Sequence, residues 1–182
     1  NQGRISRTCR TTGSARNAEQ GKTHFQKNKS CKGSLNWIMG AIKLRENIYS
    51  VGVLNPGLRV FDIIMESKFG TSYNAYLITG KKNILIDTVH SDFFDEYLKN
   101  IQSIISLSKI DCLIMNHTEP DHSGSVAKLL ALNPNITVYC TMHASKCLKR
   151  ITNRDFKCVV VKQGDQLDYG DGSLEFIIAP LL

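Results

Sequence analysis

The apolar run Cys112-Leu113-Ile114-Met115 reads as a buried strand, and the ten residues after it limit the possible folds more than any other stretch. They are Asn116-His117-Thr118-Glu119-Pro120-Asp121-His122-Ser123-Gly124-Ser125, with four potential metal ligands within six residues in the order His-x-Glu-x-Asp-His. A strand that stops and delivers imidazoles and carboxylates into a loop is how α/β folds build sites at strand ends. Neutral imidazole suits iron and zinc, and carboxylate suits harder, more oxidised ions, so the mixture points to a transition metal. Adjacent Asp121 and His122 project differently from His117 and Glu119, which favours two ions over one. The bland reading is an acidic, solvated loop with two incidental histidines.

The surrounding pattern is that of an α/β domain. Residues 48–53 alternate and are β-branched enough for a strand, Asn55-Pro56-Gly57 signals a turn, and residues 59–65 read as the returning strand of a hairpin. Strands are expected at 74–79 and 83–87, joined by Gly80-Lys81-Lys82, so the sheet opens antiparallel. The period then changes. Phe94, Tyr97, Leu98, Ile101, Ile104 and Ile105 form an apolar stripe at helical spacing over 91–106, with Ser91 as N-cap and Asp92 in the first turn. A helix over 124–132 stops at Asn133-Pro134. A strand at 136–140, a helix at 143–151 and a strand at 157–162 come next. A turn-rich crossing at 164–172 leads to a strand at 174–179. Strand–helix alternation from residue 83 onward implies βα units packed on a sheet.

Composition narrows the function classes. The net charge of +7 resides in residues 1–38, where eight Lys and Arg face the single acid Glu19, and the remainder carries as many bases as acids. A neutral domain does not advertise nucleic-acid binding. Residues 1–38 lack hydrophobic periodicity and read as a disordered basic leader ahead of a domain over 39–182. The segment's Arg-rich, acid-poor composition also describes a transit peptide. The cysteines show no Cys-x-x-Cys spacing, and Cys112, Cys140 and Cys158 lie in or beside strand-like runs, where free Cys acts as a small hydrophobe. No secretory h-region and no run of about 18 apolar residues occurs, so a cytoplasmic protein without a membrane span is expected.

At His117, Glu119, Asp121 and His122 the chain resembles the flavodiiron proteins, whose metal domain has the metallo-β-lactamase fold. Hydrolases of that fold usually carry His-x-His-x-Asp-His, and the flavodiiron family has Glu at the position of Glu119. The resemblance extends to Gly70-Thr71-Ser72-Tyr73-Asn74-Ala75-Tyr76-Leu77-Ile78, to Leu85-Ile86-Asp87-Thr88-Val89 and to Ile178-Ala179-Pro180, and so covers roughly residues 39–182. It implies an αβ/βα sandwich of which this chain is the N-terminal half. It also implies one iron at His117 and Glu119 and a second at Asp121 and His122. Oxygen would be reduced to water, or nitric oxide to nitrous oxide. In the family a stretch like Ile178-Ala179-Pro180-Leu181-Leu182 runs into further metal ligands and a flavodoxin-like domain that binds FMN. Residues 39–182 are therefore expected to be an incomplete diiron domain, inactive alone. The complete protein would be a homodimer or tetramer served by rubredoxin or a flavin reductase.

Other candidates are weaker. Asp87 ends its strand where such folds place a supporting carboxylate. His143 reads as a surface residue at a helix end, His90 as a loop residue, and His24 falls in the leader. Gly70, Gly164, Gly170 and Gly172 are turn glycines, and no phosphate-cradling Gly-x-Gly-x-x-Gly precedes a helix, so flavin binding is not visible in this chain. Two competing functions remain in view. One is a zinc hydrolase of esters or thioesters on the same fold, against which Glu119 argues. The other is a non-catalytic binding module.

Overall fold

The computed structural model describes residues 25–29, 35–61 and 63–179. Strands β1 (Phe25–Lys29) and β2 (Leu35–Met39) pair antiparallel, from Phe25↔Met39 to Lys29↔Leu35. The expectation of a structureless leader differs from the structure at these two segments. Leu35, Trp37 and Ile38 give β2 a strand-prone composition that the basic charge of the segment obscures. Residues 1–24, with His24, lie outside the described residues.

The next strands are β3 (Ile42–Arg45), β4 (Ile48–Ser50), β5 (Val53–Asn55), β6 (Val60–Phe61), β7 (Met65–Glu66), β8 (Thr71–Tyr73), β9 (Tyr76–Ile78) and β10 (Ile84–Ile86). Helices and strands then alternate as α1 (Phe94–Gln102), β11 (Cys112–Ile114), α2 (Pro120–Ser123), α3 (Val126–Leu132), β12 (Thr137–Cys140), α4 (Met142–Thr152) and β13 (Cys158–Val160). The hairpin of β14 (Gln166–Asp168) and β15 (Ser173–Glu175) comes last. The main sheet has seven strands in the order β13-β12-β11-β10-β9-β4-β3. It is parallel from β10 to β13 and antiparallel from β10 back to β3.

Period-two alternation divides the sheet into two apolar faces. Leu77, Leu85, Leu113 and Val138 point to the helical side, where they are buried with Tyr97 and Ile101 of α1, Leu129 and Leu130 of α3, and Leu148 of α4. Ile84, Cys112 and Ile114 point the other way and pack with Leu167 of β14, with Tyr139, Leu174 and Phe176 at the margin. The apolar stripe of α1 is thus core, as its spacing predicts.

Several boundaries depart from the sequence reading. Residues 59–65 do not return along β5; β5 pairs with β8, and β6 pairs with β7. The crossing at 164–172 contains strand β14, whose single apolar residue, Leu167, gives no alternating signal. Strand β3 is too short for its alternation, Ile42-Lys43-Leu44-Arg45, to stand out in the sequence, and Lys43, Leu44 and Arg45 are exposed at the sheet edge. Ser91 does not cap α1: a 3₁₀ turn, Ser91–Phe93, precedes the helix, and the His90 ring accepts the Asp92 N–H at 3.4 Å.

The expected strand at 48–53 is interrupted at Val51-Gly52, and the cause is local. The N–H groups of both residues donate to the Ala75 carbonyl, at 2.9 and 3.1 Å. Their own carbonyls accept from the side-chain amide of buried Asn100, at 3.2 and 2.9 Å. A Cβ at residue 52 would stand 2.2 Å from the Tyr73 carbonyl oxygen, so only glycine fits. Backbone cannot swing aside as a side chain can. Gly52→Ala is therefore expected to lower stability by about 2 kcal/mol or more. The urea midpoint should fall at unchanged slope; an unchanged midpoint would show that the contact relaxes freely.

Candidate metal centre

β11 stops inside the parallel half of the sheet, so the residues after Ile114 emerge beside the ends of β10 and β12. Pro120 is the first residue of α2, where its missing N–H costs no helical hydrogen bond. The helix expected over 124–132 is α3, which begins at Val126; the separate short α2 precedes it, so Asp121 and His122 stand on a helical turn. Ser123 ties that turn to the preceding loop, its hydroxyl donating to the carbonyls of Thr118 and Glu119 at 2.8 and 3.0 Å. Gly124 closes it against the loop after β10: an added Cβ would lie 2.5 Å from the Pro120 carbonyl oxygen and 2.8 Å from the Ser91 nitrogen.

The four predicted ligand residues fall into two imidazole–carboxylate pairs. His117 Nε2 lies 3.1 Å from Glu119 Oε2, and His122 Nε2 lies 3.3 Å from Asp121 Oδ2. The two rings meet edge to face with centroids 5.5 Å apart. Two donors bound to one ion at about 2.1 Å each, at a right angle, stand about 3 Å apart. Each pair therefore has a spacing that fits one ion. Among the described residues no group of three or more His, Cys, Asp or Glu side chains converges as a metal site. Each pair alone would leave most of an ion's coordination sphere to other groups.

Asp87 backs the second pair. Its Oδ2 lies 3.3 Å from His122 Nδ1, and its side chain is 8 % exposed. That separation lacks the alignment of a hydrogen bond, so the buried Nδ1 has no such partner. An unpaired ring nitrogen beside a carboxylate suits an imidazole whose other nitrogen binds a metal, where a carboxylate commonly takes the Nδ1–H. Asp87 itself is strongly held. It adopts the left-handed conformation at φ 55°. Its N–H donates to the Ile114 carbonyl at 2.8 Å, and its carboxylate accepts the Asn116 N–H at 2.8 Å. Burial raises its pKa above the usual carboxylate value, against the Asn116 N–H and the His122 imidazole, which lower it.

Two supporting residues carry no signal in the sequence. The Thr88 N–H and hydroxyl both donate to the His122 carbonyl, at 2.9 and 2.5 Å. Fully buried Tyr97 donates its hydroxyl to the Asp87 carbonyl at 3.1 Å. Of the remaining histidines, His90 lies in the loop after β10, stacked on Tyr73 with centroids 5.9 Å apart. His143 is exposed, as expected, yet it lines the same cavity of about 740 Å³ as Asn116, His117, Thr118, Tyr139 and Phe176.

Residues 71–182 match the family described as ODP family beta lactamase. The chain belongs to this family. Over 146 residues it is 60% identical to Flavo-diiron protein FprA2 of Clostridium acetobutylicum, a match covering 79% of this chain and 36% of the relative. It is 39% identical to the anaerobic nitric oxide reductase flavorubredoxin of Salmonella typhi, covering 78% of this chain and 30% of that protein. Among solved structures, the flavodiiron protein of Giardia intestinalis superposes with a TM-score of 0.75 at 30% identity, over 79% of this chain and 35% of that one. The rubredoxin oxygen:oxidoreductase of Desulfovibrio gigas does so with a TM-score of 0.72 at 31% identity, over 75% and 34%. These relatives bear out the flavodiiron resemblance, and the fold is the metallo-β-lactamase-like core of flavodiiron proteins. The chain spans about a third of the length of the relatives it matches. No helix among the described residues is long and apolar enough to cross a membrane.

The Asp87–His122 contact gives a test that needs no metal. With Asp87 facing Nδ1, the neutral His122 ring should carry its proton there. Asp87→Asn, which keeps a residue tolerant of the left-handed backbone, should shift the tautomer towards Nε2–H. Long-range nitrogen–proton NMR correlations of the ring report this directly. An unchanged tautomer would show that Asp87 does not orient His122.

Proposed function

We propose that this chain forms the first part of the metal-holding domain of a flavodiiron oxidoreductase. His117 and Glu119 hold one iron, and Asp121 and His122 hold the second. The observation that carries the reading is the pair of imidazole–carboxylate spacings, 3.1 and 3.3 Å, set side by side on one strand-end loop. Glu119 supports iron over zinc, because an extra carboxylate adds negative charge that favours a ferric ion. That same residue argues against a zinc hydrolase.

The overall reaction of the complete protein is the reduction of oxygen to water or of nitric oxide to nitrous oxide. The names of the Desulfovibrio and Salmonella relatives support both substrates. When bound, the irons supply electrons and stabilise charge on the small molecule. In the complete protein the electrons would come from a donor such as rubredoxin or a flavin reductase, and FMN, when bound, would supply the relay chemistry. The complete protein is a cytoplasmic homodimer or tetramer. The residues around the loop have three tasks. Asp87 faces Nδ1 of His122 at 3.3 Å, where its carboxylate would favour the Nδ1–H tautomer and leave Nε2 free as a donor. Thr88 anchors the His122 backbone to the loop after β10. Pro120 and Gly124 hold the turn that keeps Asp121 beside His122.

Two donors per ion give weak retention, so this chain alone is expected to bind iron incompletely and to show no catalytic oxygen uptake. The test is anaerobic loading of the 182-residue chain with ferrous iron, oxidation to the ferric state, and dialysis with metal analysis, beside a parallel loading with zinc. Iron should be retained in the native chain and reduced in His117→Ala. Glu119→His should shift retention towards zinc. Tight zinc binding with thioester hydrolysis in the unaltered chain would overturn the proposal.

A further inference from the structure

Helix α4 carries a second donor pair, separate from the strand-end loop. Thr141 caps this helix by accepting the Ala144 N–H at 3.2 Å, which fixes its first turn at the edge of the cavity. His143 is exposed and lines that cavity, and Cys147, one turn further on, is half-buried. Residues four apart on a helix share a face. Here the side chains meet, with His143 Nε2 3.5 Å from Cys147 Sγ. A tetrahedral ion with bonds of about 2.1 Å to nitrogen and about 2.3 Å to sulfur holds those donors about 3.6 Å apart.

We propose that His143 and Cys147 form a two-donor chelate for a borderline-soft divalent cation of the zinc class. Exposure at the rim lets the ion enter and lets water complete the tetrahedron. Binding replaces the thiol proton by the metal: the S–H bond breaks, an S–metal bond forms, and the proton leaves to solvent. The nitrogen–sulfur pair selects differently from the loop of Glu119 and Asp121, because thiolate prefers softer ions than carboxylate does. The other close thiols, Cys140 and Cys158, lie 3.7 Å apart but do not offer the same site. Cys140 is 1 % exposed, and burial beside Cys158 pushes its pKa up to about 12. Lys146 and Lys149 share the exposed side of α4 and oppose a cation. Affinity is therefore expected to be lower than in a structural site with four protein donors.

Cobalt(II) reports the site, because a thiolate ligand produces a near-ultraviolet charge-transfer band that oxygen and imidazole ligands do not. The metal-free, reduced chain is titrated with cobalt under nitrogen, and circular dichroism verifies the fold of each variant. The band should saturate, release a proton, and disappear when zinc is added. It should be lost in both Cys147→Ser and Cys147→Ala, and cobalt affinity should fall about tenfold or more in His143→Gln. Cys140→Ser and His117→Ala should leave it unchanged, which separates this site from the core thiols and from the loop. The proposal is overturned by the absence of a band in the unaltered chain, by its survival in the Cys147 variants, by its loss in Cys140→Ser, or by unchanged affinity in His143→Gln.

Discussion

The pairing of β10 with β11 is the contact on which the rest of the strand-end architecture depends. It joins Ile84 to Cys112, Leu85 to Leu113 and Ile86 to Ile114, and the Asp87 N–H extends it by donating to Ile114. That extension sets Asp87 level with the point where β11 gives way to the loop. The carboxylate then accepts the N–H of Asn116, just beyond the strand. In the other direction, Thr88 receives the turn that carries His122. Two strands of three residues each are short, but both lie in the middle of the sheet with apolar residues packed on both faces. Neither can shift without exposing that packing.

The cost concentrated at Asp87 agrees with this dependence. A non-glycine residue in the left-handed region is strained by about 1–2 kcal/mol. Burial of its carboxyl adds a further penalty. The Asn116 and Ile114 hydrogen bonds offset part of both, and the Tyr97 hydroxyl satisfies the carbonyl left by the turn of the chain. Such strain persists only where the surroundings over-determine the conformation, and it clusters at functional sites. The energetic centre of the region is thus a carboxylate that stands behind the loop.

Legibility in the sequence depends on how local each signal is. The helical stripe through Tyr97 and Ile101 and the antiparallel turn at Gly80 are visible because their spacing alone encodes them. Strand β14 is not visible, since Leu167 becomes a core residue only when β15 lies beside it and both cover Ile84 and Ile114. The break at Gly52 depends on Asn100, which is 48 residues away. The metal-type residues themselves are legible because they are contiguous. The roles of Thr88 and Tyr97 are hidden, because each acts through a backbone carbonyl brought near by tertiary folding. His143 reads as plain surface for the same reason: the cavity it borders exists only once β11, β12 and residues 176–179 converge.

The separation of these partners along the chain has a consequence for assembly. His117, Glu119, Asp121 and His122 are neighbours in the unfolded chain as much as in the folded one, whereas Asp87 reaches Asn116 only across 29 residues. Closing that loop and pairing parallel strands is slow compared with any contact inside the six-residue run. The side chains of the run are therefore close to one another before the Asp87 carboxylate arrives beside His122. A metal that binds the unfolded chain in this way contributes less to net stability than its affinity for the native site suggests. Early capture of such a metal would instead bias the order in which the strand end is built.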